Sequence, residues 1–90
     1  MFHFVYLLQS KLNDKMYVGY TSNIKKRLME HNSGLNFSTK SDRPWNLIFF
    51  EGYLNIDDAK RREKYLKTNQ GARLIKRMIK EYLYNNKVEK

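Results

Sequence analysis

The sequence predicts an α+β fold: a small three-stranded antiparallel sheet flanked by helices, in the order β-β-α-β-α-α. Three observations carry this reading. Short apolar runs rich in aromatic and β-branched residues occur near positions 2–8, 16–20 and 45–53, as strands require. Residues 24–32, 55–68 and 72–84 instead repeat their apolar positions at helical spacing. The chain is 90 residues long, which suits one thin-cored domain.

The elements follow in order. Phe2-His3-Phe4-Val5-Tyr6-Leu7-Leu8 is apolar almost throughout, the pattern of a central strand covered on both faces. Asn13 and Asp14 supply turn chemistry. Met16-Tyr17-Val18-Gly19-Tyr20 then returns as the partner strand of a hairpin. Gly19 weakens a strand interior, which marks a bulge or a close approach to the backbone. Thr21-Ser22-Asn23 offers N-caps for a helix whose inner stripe is Ile24, Leu28 and His31, and Gly34 is a natural stop. A polar, basic loop over 33–44 leads to the third strand, Trp45 to Tyr53. Asn55, with Asp58 three residues on, resembles a capping box for a second helix that runs to about Thr68 and stops before Gly71. A third helix is expected from Ala72 to about Tyr84, with Leu74, Ile75, Met78, Ile79, Tyr82 and Leu83 on its apolar face. One domain therefore spans 1–84, and 85–90 reads as a polar C-terminal tail.

Composition narrows the chemistry. There is no cysteine, which excludes disulfides and thiolate metal sites. The N-terminus lacks the basic and apolar segments of a secretory signal, and no apolar run approaches the length of a membrane span. A cytoplasmic location is the expectation. Eighteen Lys and Arg against nine Asp and Glu give a net charge of +9, with 14% aromatic residues. Such a folded basic domain suits a nucleic-acid partner.

Three groups of residues stand out. Glu63 falls on the inward stripe of the second helix with Ala59 and Leu66. It is either a rim carboxylate paired with Arg27, Lys60 or Lys67, or a ligand for a hard cation, since Mg²⁺ needs only one or two carboxylates. Arg27 and His31 are one helical turn apart, either on a solvated basic face or converging on one anion. Tyr6, Tyr17 and Tyr20 are strand tyrosines, which either pack or act as catalysts. As a base, a tyrosine needs cations or a metal to lower its ordinary value of about 10. No histidine cluster, glycine-rich phosphate loop or nucleophile elbow is present.

These residues fall in one order. Phe4-Val5-Tyr6 and Tyr17-Val18-Gly19, with ten residues between the tyrosines, are followed by Asn23 to Asn32 carrying Arg27 and His31, and by Ala59 to Lys67 carrying Glu63. In this arrangement the sequence resembles the GIY-YIG nuclease family, over residues 2 to about 80. It is most similar to small stand-alone bacterial members that are likened to the catalytic domain of the excision-repair incision subunit. Phe4 stands where the family has its first glycine. Neither Asn69 nor Asn85 matches the family asparagine that follows the glutamate, and that role is unassigned.

The resemblance implies a Mg²⁺-dependent endonuclease that hydrolyses or nicks DNA, including structured or damaged DNA, with Mn²⁺ as an alternative ion. By position, Glu63 would hold the metal. Tyr6 or Tyr17 would orient or deprotonate water, Arg27 would balance phosphoryl charge, and His31 would relay a proton. Lys26, Lys40, Arg43 and Lys67 are the expected nucleic-acid contacts, DNA being favoured over RNA. A protein partner could supply target choice. The alternatives are a non-catalytic nucleic-acid-binding module of the same fold and an accessory subunit that docks through its basic third helix.

Overall fold

The computed structural model describes residues 1–88. It contains β1 (His3–Ser10), β2 (Met16–Thr21), α1 (Ile24–Ser33), a short 3₁₀ turn (Lys40–Asp42), β3 (Trp45–Tyr53), α2 (Ile56–Leu66), α3 (Asn69–Met78) and α4 (Lys80–Val88). The sheet order is β2-β1-β3, antiparallel throughout, so the most apolar strand is the central one, as expected. Asp14 adopts a left-handed φ of 63° in the hairpin loop, a conformation that a short polar side chain tolerates.

The apolar residues of β1 alternate between two cores. Val5 and Leu7 pack with Ala59, Leu66 and Ile75 beneath α2 and α3. Tyr6 and Leu8 pack with Trp45 on the other face, against Leu28 of α1. Burying each of these large side chains stabilises the fold by about 1.5–3 kcal/mol at most. Caps set the helix limits. Asn23 accepts from the Lys26 N–H, Gly34 closes α1 at φ 85°, and Asn55 accepts from the Asp57 N–H. Asp58 does not complete the expected capping box; its carboxylate pairs with Arg61 at 2.7 Å. Its exposed position favours the guanidinium one turn on.

The C-terminal half departs from expectation. Gly71 does not stop a helix. Thr68 caps α3 by accepting from the Gly71 N–H, so Gly71 lies in the first turn of that helix. A Cβ at position 71 would run into the Tyr65 carbonyl and the Leu66 backbone. The glycine therefore serves close passage of α3 across the end of α2. The expected third helix is two helices, broken at Ile79 (φ −116°, ψ 28°). Beyond the break, the Tyr82 hydroxyl donates to Gln9 Oε1 at 2.9 Å and ties α4 to the central strand. With no proline or glycine to end it, α4 carries the backbone helically through Val88, across part of the expected tail. Residues 89 and 90 lie outside the described residues. Among the described residues no helix is long and apolar enough to cross a membrane.

Candidate active site

Tyr6 sits at the centre of the site because β1 is the central strand. In register it faces Gly19 of β2 and Phe50 of β3. A Cβ on Gly19 would overlap the Tyr6 phenol, so only glycine leaves the ring its place across β2. This is the close approach expected from the sequence; the register irregularity lies elsewhere, at Leu7/Leu8 between β1 and β3.

The Tyr6 hydroxyl is 2.8 Å from His31 Nε2, and His31 Nδ1 is 2.8 Å from Thr39 Oγ1. The Thr39 hydroxyl donates onward to the Asn36 carbonyl. With that 3.4 Å bond in place, Thr39 accepts from a protonated Nδ1, which leaves Nε2 as the acceptor for the Tyr6 proton. The result is a directed chain from Tyr6 through His31 to Thr39. His31 and Thr39 are fully buried at 0% and 1% exposure. Burial pushes the His31 imidazole below its usual value, and the Arg27 guanidinium adds to this while Glu30 opposes it. A neutral histidine follows, in agreement with the bond directions.

Burial also pushes the Tyr6 hydroxyl well above its ordinary value. Tyr17 raises it further, Arg27 opposes, and the Glu63 and Glu30 carboxylates raise it again. These five groups thus share one electrostatic neighbourhood although they come from β1, β2, α1 and α2. Tyr17 is the more open phenol. Its ring packs edge-on against His31 at 5.1 Å and lies 6.4 Å from the Tyr6 and Trp45 rings. The Lys67 ammonium stands 5.9 Å above the Tyr17 centroid and donates to Glu63 Oε2 at 3.1 Å.

Glu63 therefore finds the Lys67 partner foreseen in the ion-pair reading, while keeping 23% side-chain exposure. Among the described residues no group of three or more His, Cys, Asp or Glu gathers to cage a metal. A lone, solvent-reaching carboxylate fits a hard cation that retains most of its waters. It does not fit a zinc-like site with several protein ligands.

Arg27 and His31 do not converge on one anion. His31 turns inward to Tyr6, whereas Arg27 stays at the rim, 40% exposed and 3.4 Å from Glu30. Tyr20 stands apart from Tyr6 and Tyr17, bonded to His3 Nδ1 at 2.8 Å beneath the Lys60 ammonium. Lys26 joins Arg27 in a polar groove with Thr21, Ser22, Asn23 and Glu30. Lys40 and Arg43 lie on the 33–44 loop, where Arg43 Nε donates to the Lys40 carbonyl. They line a separate groove with Phe37. Sequence reasoning passed over Thr39 as a loop residue, and no local pattern links it to His31, eight positions earlier. Asn32 was passed over too; its side chain bonds both the N–H and the carbonyl of Trp45 and fixes α1 to β3.

The GIY-YIG catalytic domain family matches residues 2–85. The chain belongs to the GIY-YIG family. This GIY-YIG domain is 35% identical to UPF0213 protein CPE1444 of Clostridium perfringens, over 96% of this chain and 97% of that one. It is 38% identical to UPF0213 protein SH2523 of Staphylococcus haemolyticus, over 88% and 95% respectively. The solution NMR structure of UPF0213 protein BH0048 from Bacillus halodurans matches with a TM-score of 0.54 at 26% identity, covering 87% of this chain and 85% of that one. The α+β fold expected from the sequence is therefore that of a GIY-YIG domain, a nuclease fold.

Proposed function

We propose that the protein is a metal-dependent endonuclease that hydrolyses DNA phosphodiester bonds in the cytoplasm. The observation that carries this reading is the single electrostatic neighbourhood that Tyr6 shares with Tyr17, Arg27 and Glu63, with the Tyr6 hydroxyl joined to a neutral His31 at 2.8 Å. Glu63 is the residue that would hold Mg²⁺, or Mn²⁺ in its place, with Lys67 released toward the substrate. A divalent ion bound there supplies Lewis-acid polarisation of a phosphate oxygen.

The chain's own groups do the rest. Tyr17, the open phenol, orients the attacking water by accepting its hydrogen bond. Tyr6 Oη takes the proton that water releases as its own proton passes to His31 Nε2. Meanwhile the water oxygen bonds phosphorus, the P–O bond to the leaving oxygen breaks and that oxygen takes a proton from solvent. Neither tyrosine then has to persist as a phenolate, which the raised Tyr6 value disfavours. Arg27 donates to the phosphoryl oxygens as negative charge builds on them. Lys26 and Lys67 extend the phosphate contacts beside the site, and Lys40 and Arg43 extend them along the loop.

The test is incubation with plain, nicked and branched duplex DNA, and with RNA, in Mg²⁺ and in chelator. Metal-dependent cleavage that disappears in Glu63→Gln is the expected result. Salt-sensitive binding without cleavage of any substrate would replace this reading with a binding module.

A further inference from the structure

Beyond Tyr6, the same sheet face ends in three aromatics, Phe2 and Phe50 exposed and Phe4 half-buried, that the chemistry above does not use. Phe4 is two residues before Tyr6 on β1, and Phe50 is the direct partner of Tyr6 on β3. The Phe4 and Phe50 rings meet edge to face at 5.9 Å, and Phe2 joins Phe4 at 6.3 Å. Phe2 is 51% exposed and Phe50 53%. Gly52, opposite Phe4, makes room for the group: a Cβ there would stand 3.3 Å from both the Phe2 and the Phe4 rings.

What surrounds the rings indicates their occupant. Thr21, in register with Phe4 on the other side, lines the groove that holds Lys26 and Arg27. The neighbouring carboxylates are engaged: Glu51 bonds Arg62 and Tyr53, and Glu30 pairs with Arg27. A cluster of aromatic faces set at angles to one another, beside cations and continuous with Tyr6, suits a ligand with an anionic backbone and flat rings. Every nucleobase offers a π-face, and aromatic side chains hold unpaired bases by stacking. A base inside a duplex has its faces already covered.

We propose that Phe2, Phe4 and Phe50 form a stacking platform for unpaired nucleobases of the strand whose phosphate lies at Arg27. This subsite rests on the nuclease reading and deepens it, by directing the site toward unpaired segments of its substrate.

The test measures binding in chelator, where cleavage plays no part. The probes are a short labelled single strand of DNA and a strand of equal length built of abasic sites. The wild-type chain is expected to prefer the base-bearing strand. Phe4→Ala with Phe50→Ala should weaken that binding about ten-fold or more. The affinity for the abasic strand, and the slope of affinity against salt, should stay unchanged because no cation is removed. Phe50→Trp should keep the affinity and show indole fluorescence quenched by the bound strand, which guards against a misfolded alanine variant. Equal binding of the two strands by wild type, or no loss in the double variant, overturns the platform and leaves the nuclease reading standing. Base-dependent binding in chelator, together with no cleavage of any substrate when Mg²⁺ is supplied, does the reverse. Failure to bind either strand overturns the platform. A wild-type dimer that the double variant dissociates, with binding intact, would instead make this face an interface between copies.

Discussion

Gly19 and Tyr6 share one place in the molecule: the phenol of Tyr6 occupies the volume that a side chain at Gly19 would need. Antiparallel pairing sets the two opposite each other, and the missing Cβ lets the hydroxyl reach across β2 to His31. The glycine is thus part of the geometry of the candidate site although it carries no chemistry.

Gly19→Ala should lower stability by about 1–3 kcal/mol, the usual cost of overpacking, and should displace Tyr6 from His31. A urea titration checks the first effect and cleavage assays the second. An unshifted urea midpoint would show that the ring has room to yield.

Thr39→Val should leave the buried Nδ1–H of His31 without an acceptor, at about 1–3 kcal/mol. In ¹⁵N NMR the wild-type ring should show the Nδ1–H tautomer, and the valine variant a changed or mixed one. Thr39→Ser should restore the wild-type spectrum and rate. A valine variant with a wild-type spectrum and rate would remove Thr39 from the chain of hydrogen bonds.

Stability should depend on pH through His31. Its value is lowered in the folded state, so between that value and about 6.5 the unfolded chain binds more protons. Stability is therefore full above about 6.5 and is lost as pH falls through this window. Denaturant midpoints across the range should show the loss, and His31→Gln should flatten it. An equally steep profile in the variant would assign the effect to other groups.

Arg27→Ala should slow cleavage by about 10²–10³-fold, the scale for removing one preorganised donor from a developing oxyanion. Glu63→Gln should abolish Mn²⁺ binding measured by electron paramagnetic resonance, with DNA binding in chelator retained. Mn²⁺ binding that survives the substitution would move the metal to another residue.

Replacing Lys40 and Arg43 with alanine should flatten the salt dependence of duplex binding by about 0.9 log units per log of salt for each phosphate that the loop no longer neutralises. An unchanged slope would take the loop away from the DNA.

Much of the fold was legible in advance because it is local. The strand at Trp45–Tyr53, the caps Asn23 and Asn55, and the stop at Gly34 all follow from neighbours a few positions apart. The inward stripe of α1 placed His31 toward the core, where it lies. Gly71 misled because a glycine that ends a helix and one that lets two helices pass closely look the same in a sequence. The difference is the Tyr65 carbonyl beneath it. The break at Ile79 was hidden for a similar reason: the apolar pattern runs on through it, and what marks it is the hydrogen bond of Tyr82 to Gln9, far away in the chain.

The sequence by itself determined the sheet and helices, the basic charge, and the order in which Tyr6, Tyr17, Arg27, His31 and Glu63 appear. Those depend on composition and short-range spacing. Only the tertiary structure decided what each residue faces. It set Arg27 at the rim and His31 beneath Tyr6, paired Glu63 with Lys67, and brought Thr39 to the buried ring. It also left Phe2 and Phe50 in solvent beside the site. Hydrogen bonds of 2.8 Å between Tyr6, His31 and Thr39 depend on how α1 and the 33–44 loop close over the sheet. Nothing in the spacing of the letters records that closure.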